Sequence, residues 1–313
     1  MTQPLISVIM STYNEEKSWL IKSIESILNQ TERNFEFIIV LDNPLNIEIK
    51  DVLNCYAQKD QRIKLIYNDV NKGLIESLNS ALAIATGEYI ARMDADDISL
   101  ENRFEKQIKF LLNNPKVDLV GSQIEFIDEN ENIINKKSNV YTNKYNLKVM
   151  LNYCNPMAHP TWMFKRSILK QLGNYREVKY AEDYDFITRV VTNGYNIDNL
   201  DDKLLLYRLR DNGISISNSF KQSKAAYYVK KMYKKRLNNE DDKLIYVKLK
   251  DLISSEVGAE RYYMSKSLKN KAKGSKFLKA FYCGIAIVLS LYSRDELIKR
   301  VKRTLYIKRM NQK

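Results

Sequence analysis

One stretch decides the expected fold of this chain: Glu88-Tyr89-Ile90-Ala91-Arg92-Met93-Asp94-Ala95-Asp96-Asp97. A short apolar strand pattern runs directly into three carboxylates within four positions. Carboxylates packed this closely repel one another unless a cation lies among them, and oxygen ligands favour a hard divalent ion such as Mg²⁺ or Mn²⁺. A strand end that carries them is expected at the carboxyl edge of a sheet, where open α/β folds bind ligands. The alternative is a solvated acidic turn that caps a helix beginning near Leu100.

The sequence before this stretch alternates strand and helix patterns. Strands are predicted at Leu5–Thr12, Phe35–Leu41, Ile63–Tyr67 and Tyr89–Met93. Helical apolar spacing lies between them, at Lys17–Asn29, Leu45–Ala57 and Leu74–Ala85. Because a βαβαβαβ order implies a parallel sheet with right-handed crossovers, the expected fold class is α/β.

The sequence after this stretch is less regular. Its signals from Val117 to Asn199 predict a mixed extension of the sheet, and from Phe220 onward only helical patterns remain. We therefore predict an α/β domain of residues 1–218 and a helical region of residues 219–313. With 44% hydrophobic residues, 9 Gly and 5 Pro, the composition is that of a packed globular protein.

The net charge of +13 is concentrated in the helical region. Residues 220–313 contain 25 Lys/Arg and 8 Asp/Glu, so they carry an excess of 17 positive charges. The remaining residues hold 26 basic and 30 acidic side chains, a balance of −4. A basic face attracts nucleic acid or an anionic membrane surface, and the charge alone does not distinguish these partners.

The cysteines and the N-terminus predict a cytoplasmic location. Cys55, Cys154 and Cys283 are scattered without metal spacing, and their odd number argues against a disulfide framework, which favours a reducing compartment. The chain reaches its first strand at once, without a basic segment or cleavage site, so no signal peptide is predicted.

The end of the chain combines an apolar segment with a basic helix. The segment Phe277–Tyr292 has an apolar core of about 13 residues, shorter than the ~20 that a membrane-spanning helix needs. The following helix, Asp295–Met310, is basic and amphipathic, as is typical of helices that lie at a membrane interface. The alternative is an ordinary two-helix packing unit with a solvated basic face.

Polar clusters follow the predicted strands and are expected to meet at one edge of the sheet. Ser11-Thr12-Tyr13-Asn14-Glu15 offers hydroxyls, an aromatic face and an amide for a nucleobase, and a helix cap by Thr12 or Asn14 is compatible with that role. Asp42 follows the second strand and is placed to bond a ribose or a base. In Asn71-Lys72-Gly73, glycine allows close backbone approach and Lys72 offers charge to a phosphate.

The first strand is not followed by a phosphate-cradling glycine loop, which excludes a Rossmann dinucleotide site and a P-loop. A metal held at Asp94 and Asp96 is then the natural partner of a nucleotide diphosphate. Such a metal also serves leaving-group chemistry, because it neutralises the departing charge as a Lewis acid.

The ordered motifs resemble those of family 2 glycosyltransferases over about residues 4–215. The resemblance is carried by Ser7-Val8-Ile9-Met10-Ser11-Thr12-Tyr13-Asn14, by Ser26-Ile27-Leu28-Asn29-Gln30-Thr31, and by the block from Asn71 through Gly87-Glu88-Tyr89-Ile90 to Asp97. It implies the GT-A fold, which is Rossmann-like with a mostly parallel sheet and a mixed extension. It also implies a nucleotide-sugar donor and inversion at the anomeric carbon. Within the family the chain is most similar to bacterial enzymes that build capsule, exopolysaccharide or O-antigen units on a lipid carrier.

The resemblance also implies roles for individual residues. Ser11, Tyr13 and Asp42 correspond to nucleoside contacts, with Asn14, Glu15 and Lys72 beside them as further donor-binding candidates. Asp94, Ala95 and Asp96 form the Asp-x-Asp motif, in which Asp96 corresponds to the direct metal ligand and Asp94 lies nearer the ribose.

The catalytic base corresponds to Asp183 in the pair Glu182-Asp183, ahead of a helix predicted at Tyr184–Val191, and Glu182 shares the role or orients Asp183. Leu41-Asp42-Asn43-Pro44 departs from the family, where many members have a second acidic residue and Gly-Ser.

Three further residues are donor-site candidates with structural alternatives. His159, the only histidine, lies among turn signals and either faces the donor diphosphate or the acceptor, or serves the structure. Arg208 and Arg210 either clamp phosphate from a C-terminal loop or mark a surface strand end.

The sequence therefore predicts a metal-dependent inverting glycosyltransferase that uses Mn²⁺ or Mg²⁺. Its expected partners are a nucleotide-sugar donor, a lipid-linked saccharide acceptor and the anionic inner face of the cell membrane, without nucleic acid; the oligomeric state stays open. One alternative is a nucleotidyltransferase, which would require a glycine-rich basic loop after the first strand. Another is a non-catalytic protein that binds anionic membrane or nucleic acid through the basic tail, which has aromatics among its lysines but no recognised nucleic-acid module.

Overall fold

A computed structural model describes residues 5–142, 145–210, 218–253, 259, 261–264, 267 and 290–312. The chain divides into two compact units. The first comprises Met1–Leu147, Pro156–Arg176 and Arg189–Arg210, and the second comprises Lys148–Asn155, Glu177–Thr188 and Asp211–Lys313. Cys283 and most of the predicted apolar segment, residues 277–289, lie outside the described residues.

The first unit begins with a parallel βα arrangement that confirms the expected α/β fold. Its strands are β1 (Ile6–Thr12), β2 (Phe35–Leu41), β3 (Ile63–Tyr67) and β4 (Tyr89–Asp94). Its helices are α1 (Lys17–Leu28), α2 (Ile47–Lys59) and α3 (Leu74–Ile84). The strands lie in the order β3-β2-β1-β4 and all pair in parallel. All seven residues of β2 are buried and six of them are apolar, as expected of a strand that is covered on both faces of the sheet.

The sheet continues beyond β4 as the predicted mixed extension. The further strands are β5 (Ile98–Ser99), β6 (Leu119–Ile127), β7 (Ile133–Ile134), β8 (Met163–Lys165) and β9 (Ile197–Arg208). The sheet order runs on as β4-β8-β6-β9-β5, with β7 paired to β6. Strand β8 is antiparallel to β4 and β6, whereas β9 is parallel to β6 and antiparallel to β5. The helix expected near Leu100 is α4 (Arg103–Asn113).

A buried carboxylate joins three strands at the amino end of the sheet. Glu36 on β2 accepts hydrogen bonds from the Ser7 hydroxyl (2.5 Å) and from the Thr86 amide and hydroxyl (2.7 and 2.8 Å), and it pairs with the Lys64 ammonium at 2.5 Å. Burial alone would raise the pKa of this carboxyl, but the bonds from Lys64, Ser7 and Thr86 together outweigh it and lower the pKa to about 2. Gly87 completes the junction, because a Cβ there would lie 2.5 Å from the Ser7 nitrogen.

Glu36→Gln is expected to lower the free energy of unfolding by about 1–3 kcal/mol at pH 7, because a charged acceptor of four bonds becomes neutral. The folded-state pKa lies below the ordinary value of 4.5, so this stability is present above pH 4.5 and is lost as the pH falls towards 2. Urea denaturation at pH 7 and pH 3 measures the difference between the two proteins. A gap that stays constant or widens at pH 3 would contradict the assignment.

The connecting segments of the chain contain three more helices, α5 (Leu147–Met150), α6 (Leu169–Leu172) and α7 (Glu182–Thr192). Glu182 and Asp183 are the first two residues of α7, so the helix begins two residues earlier than the predicted start at Tyr184, and the prediction that placed the pair ahead of the helix is wrong. Acidic side chains stabilise the first turn of a helix because they interact with the unpaired backbone amides at its N-terminus. The helix therefore includes Glu182 and Asp183 in its first turn.

The second unit is helical after residue 218, as predicted, over the residues that the structure describes. Its helices are α8 (Ser219–Leu237), α9 (Lys243–Ile253) and α10 (Leu291–Asn311). Helix α8 is anchored within this unit by Tyr233, whose hydroxyl donates to the Lys148 carbonyl at 3.0 Å, and by Phe220, which packs against Tyr262 and Tyr292. In the described part of the chain, no helix has the length and apolar character that crossing a bilayer requires.

Candidate active site

The three carboxylates of the acidic turn lie together at the carboxyl end of β4. Asp94 is the last residue of β4 and lies beside Ser11 of β1 in the sheet register. Carboxylate oxygens of Asp94, Asp96 and Asp97 lie within 4.8 Å of one another, while Ala95 between them is buried in the core. The strand therefore delivers an all-oxygen cluster to the sheet edge at which ligands are expected.

The electrostatics of this cluster indicate a cation site. Burial and the neighbouring charge of Asp94 raise the pKa of Asp96 to about 6, although Arg210 opposes them. Burial and the charges of Asp96 and Asp94 likewise raise the pKa of Asp97 well above its ordinary value. One Asp97 carboxylate oxygen, Oδ2, is buried without a hydrogen-bond partner in the described structure. A buried oxygen without a donor, next to two further carboxylates, fits the ligand set of a hard divalent ion.

Three arginines balance the negative charge of the turn. Arg92 pairs with Asp94, and the Arg210 guanidinium lies 2.8 Å from the Asp96 carboxylate. Arg208 is the last residue of β9 and is buried; its amide donates to Asp97 Oδ1 at 2.9 Å, and its Nε donates to the Asp96 carbonyl at 2.8 Å. Arg208 therefore holds the backbone of the acidic turn, while Arg210 contacts a predicted metal ligand directly.

Trp19 of α1 forms an aromatic face beside two of these arginines. Its ring centroid lies 5.1 Å from the Arg208 guanidinium and 5.8 Å from that of Arg210. Such cation–π stacking fixes the guanidinium planes at the site. Sequence reasoning did not identify Trp19 or Arg92, and Asp97 was not named among the metal ligands. Two sequence signals could have identified them: Trp19 is an aromatic residue at the start of a helix, and Arg92 is an arginine inside an apolar strand.

The loop after β1 is organised by its own carboxylate. Glu15 accepts hydrogen bonds from the Thr12 hydroxyl at 2.6 Å and from the Tyr13 amide at 2.7 Å. This arrangement leaves the Tyr13 side chain 42% exposed, as a ring that stacks on a base must be. The expected helix cap by Thr12 or Asn14 is wrong, because the Glu16 side chain accepts the amides at the start of α1. Asn14 instead accepts a hydrogen bond from Asn43 at 2.6 Å.

Asp42 connects the segment after β2 with the loop Asn71-Lys72-Gly73, which lies about 30 residues further along the chain. Its carboxylate accepts the backbone amides of Lys72 (2.8 Å) and Gly73 (2.7 Å) and the Asn68 side chain (2.6 Å). Gly73 has a φ of +84°, a conformation that glycine adopts without strain. The buried carboxylate thereby fixes the loop that carries the exposed Lys72 side chain.

His159 is packed among aromatic rings. Its Nε2 lies 2.8 Å from the Tyr175 hydroxyl, and its ring packs edge-on against Trp162 at 4.7 Å. Burial and the nearby Arg92 charge lower the pKa of His159 well below its ordinary value. The imidazole is therefore neutral at physiological pH and is held by the structure, and a contact with the donor diphosphate or the acceptor stays a prediction.

The predicted catalytic pair lies in the second unit. The Asp183 carboxylate accepts a hydrogen bond from Asn155 Nδ2 at 2.7 Å through one oxygen and from the Tyr184 amide at 2.7 Å through the other. Both Glu182 and Asp183 are half-buried. Asn155 was not predicted as a site residue, and its contact with Asp183 gives the predicted base a defined orientation.

The sequence of this chain is similar to those of known glycosyltransferases. The family model described as glycosyl transferase family 2 matches residues 7–173. An uncharacterized glycosyltransferase of Methanocaldococcus jannaschii is 43% identical over 236 residues, which cover 74% of this chain and 80% of the relative. The O-antigen biosynthesis glycosyltransferase WbnJ of Escherichia coli is 36% identical over 234 residues, which cover 74% of this chain and 90% of WbnJ.

Among solved structures, residues 1–349 of S. aureus TarS in complex with UDP-GlcNAc match with a TM-score of 0.60 and 18% identity. The match covers 98% of this chain and 92% of the TarS chain, and it confirms the fold. This chain belongs to glycosyl transferase family 2, and it is a glycosyltransferase. The family resemblance stated from the sequence is thereby confirmed.

Proposed function

We propose that this glycosyltransferase is metal-dependent and inverting, and that it moves a sugar from a uridine diphosphate sugar to a hydroxyl of a lipid-linked saccharide in bacterial surface polysaccharide biosynthesis. The observation that carries the proposal is the cluster of Asp94, Asp96 and Asp97 at the carboxyl end of β4. The UDP-GlcNAc complex of TarS supports the class of donor, and the O-antigen role of WbnJ supports the class of product.

In this proposal Asp96 and Asp94 hold a divalent cation, Mn²⁺ or Mg²⁺, with Asp97 beside them. The cation supplies Lewis-acid neutralisation of the charge on the leaving diphosphate. The ligand set fits, because all three side chains offer oxygens, and a cation would relieve the burial and mutual repulsion that raise the pKa values of Asp96 and Asp97.

The proposed donor-binding residues belong to the first unit, as does this cluster. Tyr13 stacks on the nucleobase, with Ser11 near the end of β1 and Asn14 and Glu15 on the loop that follows, and Asp42 contacts the nucleoside. The exposed Lys72 and the guanidinium of Arg210, which already contacts Asp96, offer positive charge to the diphosphate.

The proposed base is Asp183, with Glu182 beside it. The Asp183 carboxylate takes the proton of the acceptor hydroxyl, whose oxygen then bonds to the sugar C1 from the face opposite the nucleotide. The bond between C1 and the diphosphate oxygen breaks, and its electron pair leaves with the diphosphate. One displacement of this kind inverts the configuration at C1. The hydrogen bonds from Asn155 and from the Tyr184 amide, one to each oxygen, orient the carboxylate.

A panel of nucleotide sugars tests the donor class. Each sugar is titrated into the full chain by calorimetry with Mn²⁺, and the titration is repeated with a chelator. Binding of a uridine diphosphate sugar that chelation weakens is the expected result. Equal binding with and without the chelator would contradict the metal-dependent part of the proposal, and a preference for another nucleotide would contradict the choice of uridine.

We also propose that the helical region places the enzyme on the anionic inner face of the membrane, where a lipid-linked acceptor resides. The support is the excess of 17 positive charges in residues 220–313, since each Lys or Arg near an anionic surface contributes ~1 kcal/mol. Vesicle co-sedimentation at low and high salt checks this: equal pelleting with neutral and anionic lipid would contradict it.

A further inference from the structure

A lysine-rich cleft lies between two helices of the second unit. It has a volume of about 440 Å³, within the ~300–1,000 Å³ typical of small-molecule pockets. Its lining consists of five lysines, one aspartate and four uncharged residues: Asn152, Tyr153, Tyr227, Lys230, Lys231, Lys234, Asp295, Ile298, Lys299 and Lys302. None of these residues has a part in the proposed sugar transfer.

The cleft is built by matching faces of α8 and α10. Residues 227, 230, 231 and 234 share one face of α8, because they are spaced by three and four positions. Residues 295, 298, 299 and 302 share one face of α10 through the same spacing. Two rigid helices therefore present their cationic side chains to one cavity.

Two of the lysines share one carboxylate. Lys230 lies 2.5 Å from the Asp295 carboxylate and Lys299 lies 2.8 Å from it, so a single carboxylate joins both helices. Burial lowers the pKa of Lys230, Asp295 opposes this effect, and the charge of Lys234 lowers the pKa further. The positive charges of the cleft are thus close enough to disfavour one another.

The other three lysines, Lys231, Lys234 and Lys302, have no carboxylate within ion-pair distance among the described residues. Lys231 lies over the Tyr227 ring at 4.7 Å, and the Lys234 and Lys302 side chains are exposed. The tyrosines stiffen the walls, since Tyr153 packs on Tyr306 and Tyr227 packs on Tyr292. The cleft therefore holds free ammonium groups on a preformed surface.

We propose that this cleft is a binding site for a diphosphate group. Five lysines against one aspartate leave an excess of four positive charges. A phosphate monoester carries about −1.5 to −2 at pH 7, which compensates at most half of that excess. A diphosphate with a free end carries one further strongly acidic oxygen and therefore offsets more of the excess. Lysine ammonium groups bind phosphate as point charges from several directions, which suits a flexible diphosphate. The inference does not rest on the proposed transfer reaction.

Calorimetric titration of the full chain with inorganic pyrophosphate tests the site. A chelator is present throughout, so that the acidic turn holds no metal that would attract pyrophosphate. The cleft variant is Lys231→Gln/Lys234→Gln/Lys302→Gln, which leaves the Lys230–Asp295–Lys299 link intact. The matched control is Lys243→Gln/Lys248→Gln/Lys308→Gln, which removes the same charge from exposed positions outside the cleft.

The wild type and the control are expected to bind pyrophosphate similarly, and more tightly than inorganic phosphate, whereas the cleft variant binds at least ~10-fold more weakly. Equal weakening in both variants, or no binding by the wild type, would overturn the proposal. Circular dichroism establishes that the variants are folded, and the single variant Lys302→Gln replaces the triple one if that protein does not fold.

A second arm identifies the source of the diphosphate. Phosphatidylcholine vesicles with and without a polyprenyl diphosphate are sedimented with the cleft variant and with the control. If the cleft variant co-sediments less than the control with the diphosphate vesicles, but equally with the plain vesicles, the ligand is carried by a lipid. Equal pelleting of both variants, together with the difference in pyrophosphate affinity, supports a water-soluble ligand in the same cleft.

Discussion

Asp183→Asn is expected to reduce sugar transfer by at least ~10²-fold while nucleotide affinity stays within a few-fold. The substitution keeps the shape of the side chain and one acceptor oxygen, so the start of α7 is preserved. It removes the group that accepts the proton of the acceptor hydroxyl. Nucleotide release in the presence of acceptor measures transfer, and calorimetry with the nucleotide alone measures affinity.

The neighbouring carboxylate supplies the control for this experiment. Glu182→Gln removes the same charge from the same helical turn, and it is expected to reduce transfer less than Asp183→Asn does. The reverse order would identify Glu182 as the base. Transfer by Asp183→Asn at a rate close to that of the wild type would place the base outside this pair unless Glu182→Gln is inactive.

Asp96→Ala is expected to abolish the metal-dependent part of donor binding. The remaining carboxylates of Asp94 and Asp97 cannot complete the ligand shell of a hard cation, and Arg210 loses the carboxylate that it contacts at 2.8 Å. Calorimetry with a uridine diphosphate sugar, with Mn²⁺ and then with a chelator, measures the effect.

Asp202→Ala is the matched control for Asp96→Ala. Asp202 also forms an ion pair, with Lys106 at 2.5 Å, but both side chains are exposed and lie outside the site. This variant should keep the full response to Mn²⁺. If a folded Asp96→Ala protein binds the donor with unchanged affinity and unchanged metal response, Asp96 is not a ligand.

The bounds of strands and helices could be predicted best where a single local pattern of apolar residues determines them. The bounds predicted for β2 and β3 match the structure, because each strand is a short, largely apolar run with polar residues at its ends, although β2 is fully buried and β3 lies at the edge of the sheet. Helix α2 was predicted to begin at Leu45 but begins at Ile47. Leu45 is 86% exposed, and the Asn46 side chain accepts the Ile49 amide as the cap. Leu45 matches the apolar spacing of the helix by residue type alone, whereas Asn46 is a favoured N-cap residue and marks the actual start.

Contacts between distant segments could not be predicted from the sequence. Trp19 meets Arg208 and Arg210 only because β9 pairs with β5, and that pairing is set by the whole sheet. Asp42 binds the amides of Lys72 and Gly73, but residue types alone do not show which carboxylate a loop will enclose. The sequence therefore indicated which residues carry chemistry, and the sheet topology decided which of them meet.

Under the proposed metal dependence, the ion pair between Arg210 and Asp96 makes entry of the cation an exchange reaction. A cation that approaches the acidic turn meets an intramolecular competitor, so the affinity measured in solution is the intrinsic affinity reduced by the free energy of that pair. The guanidinium released by the exchange is then available to a phosphate oxygen, which couples occupancy of the metal position to a second positive charge. Because this competitor is tethered, diluting the protein leaves its effective concentration unchanged, and only the concentration of free cation shifts the balance.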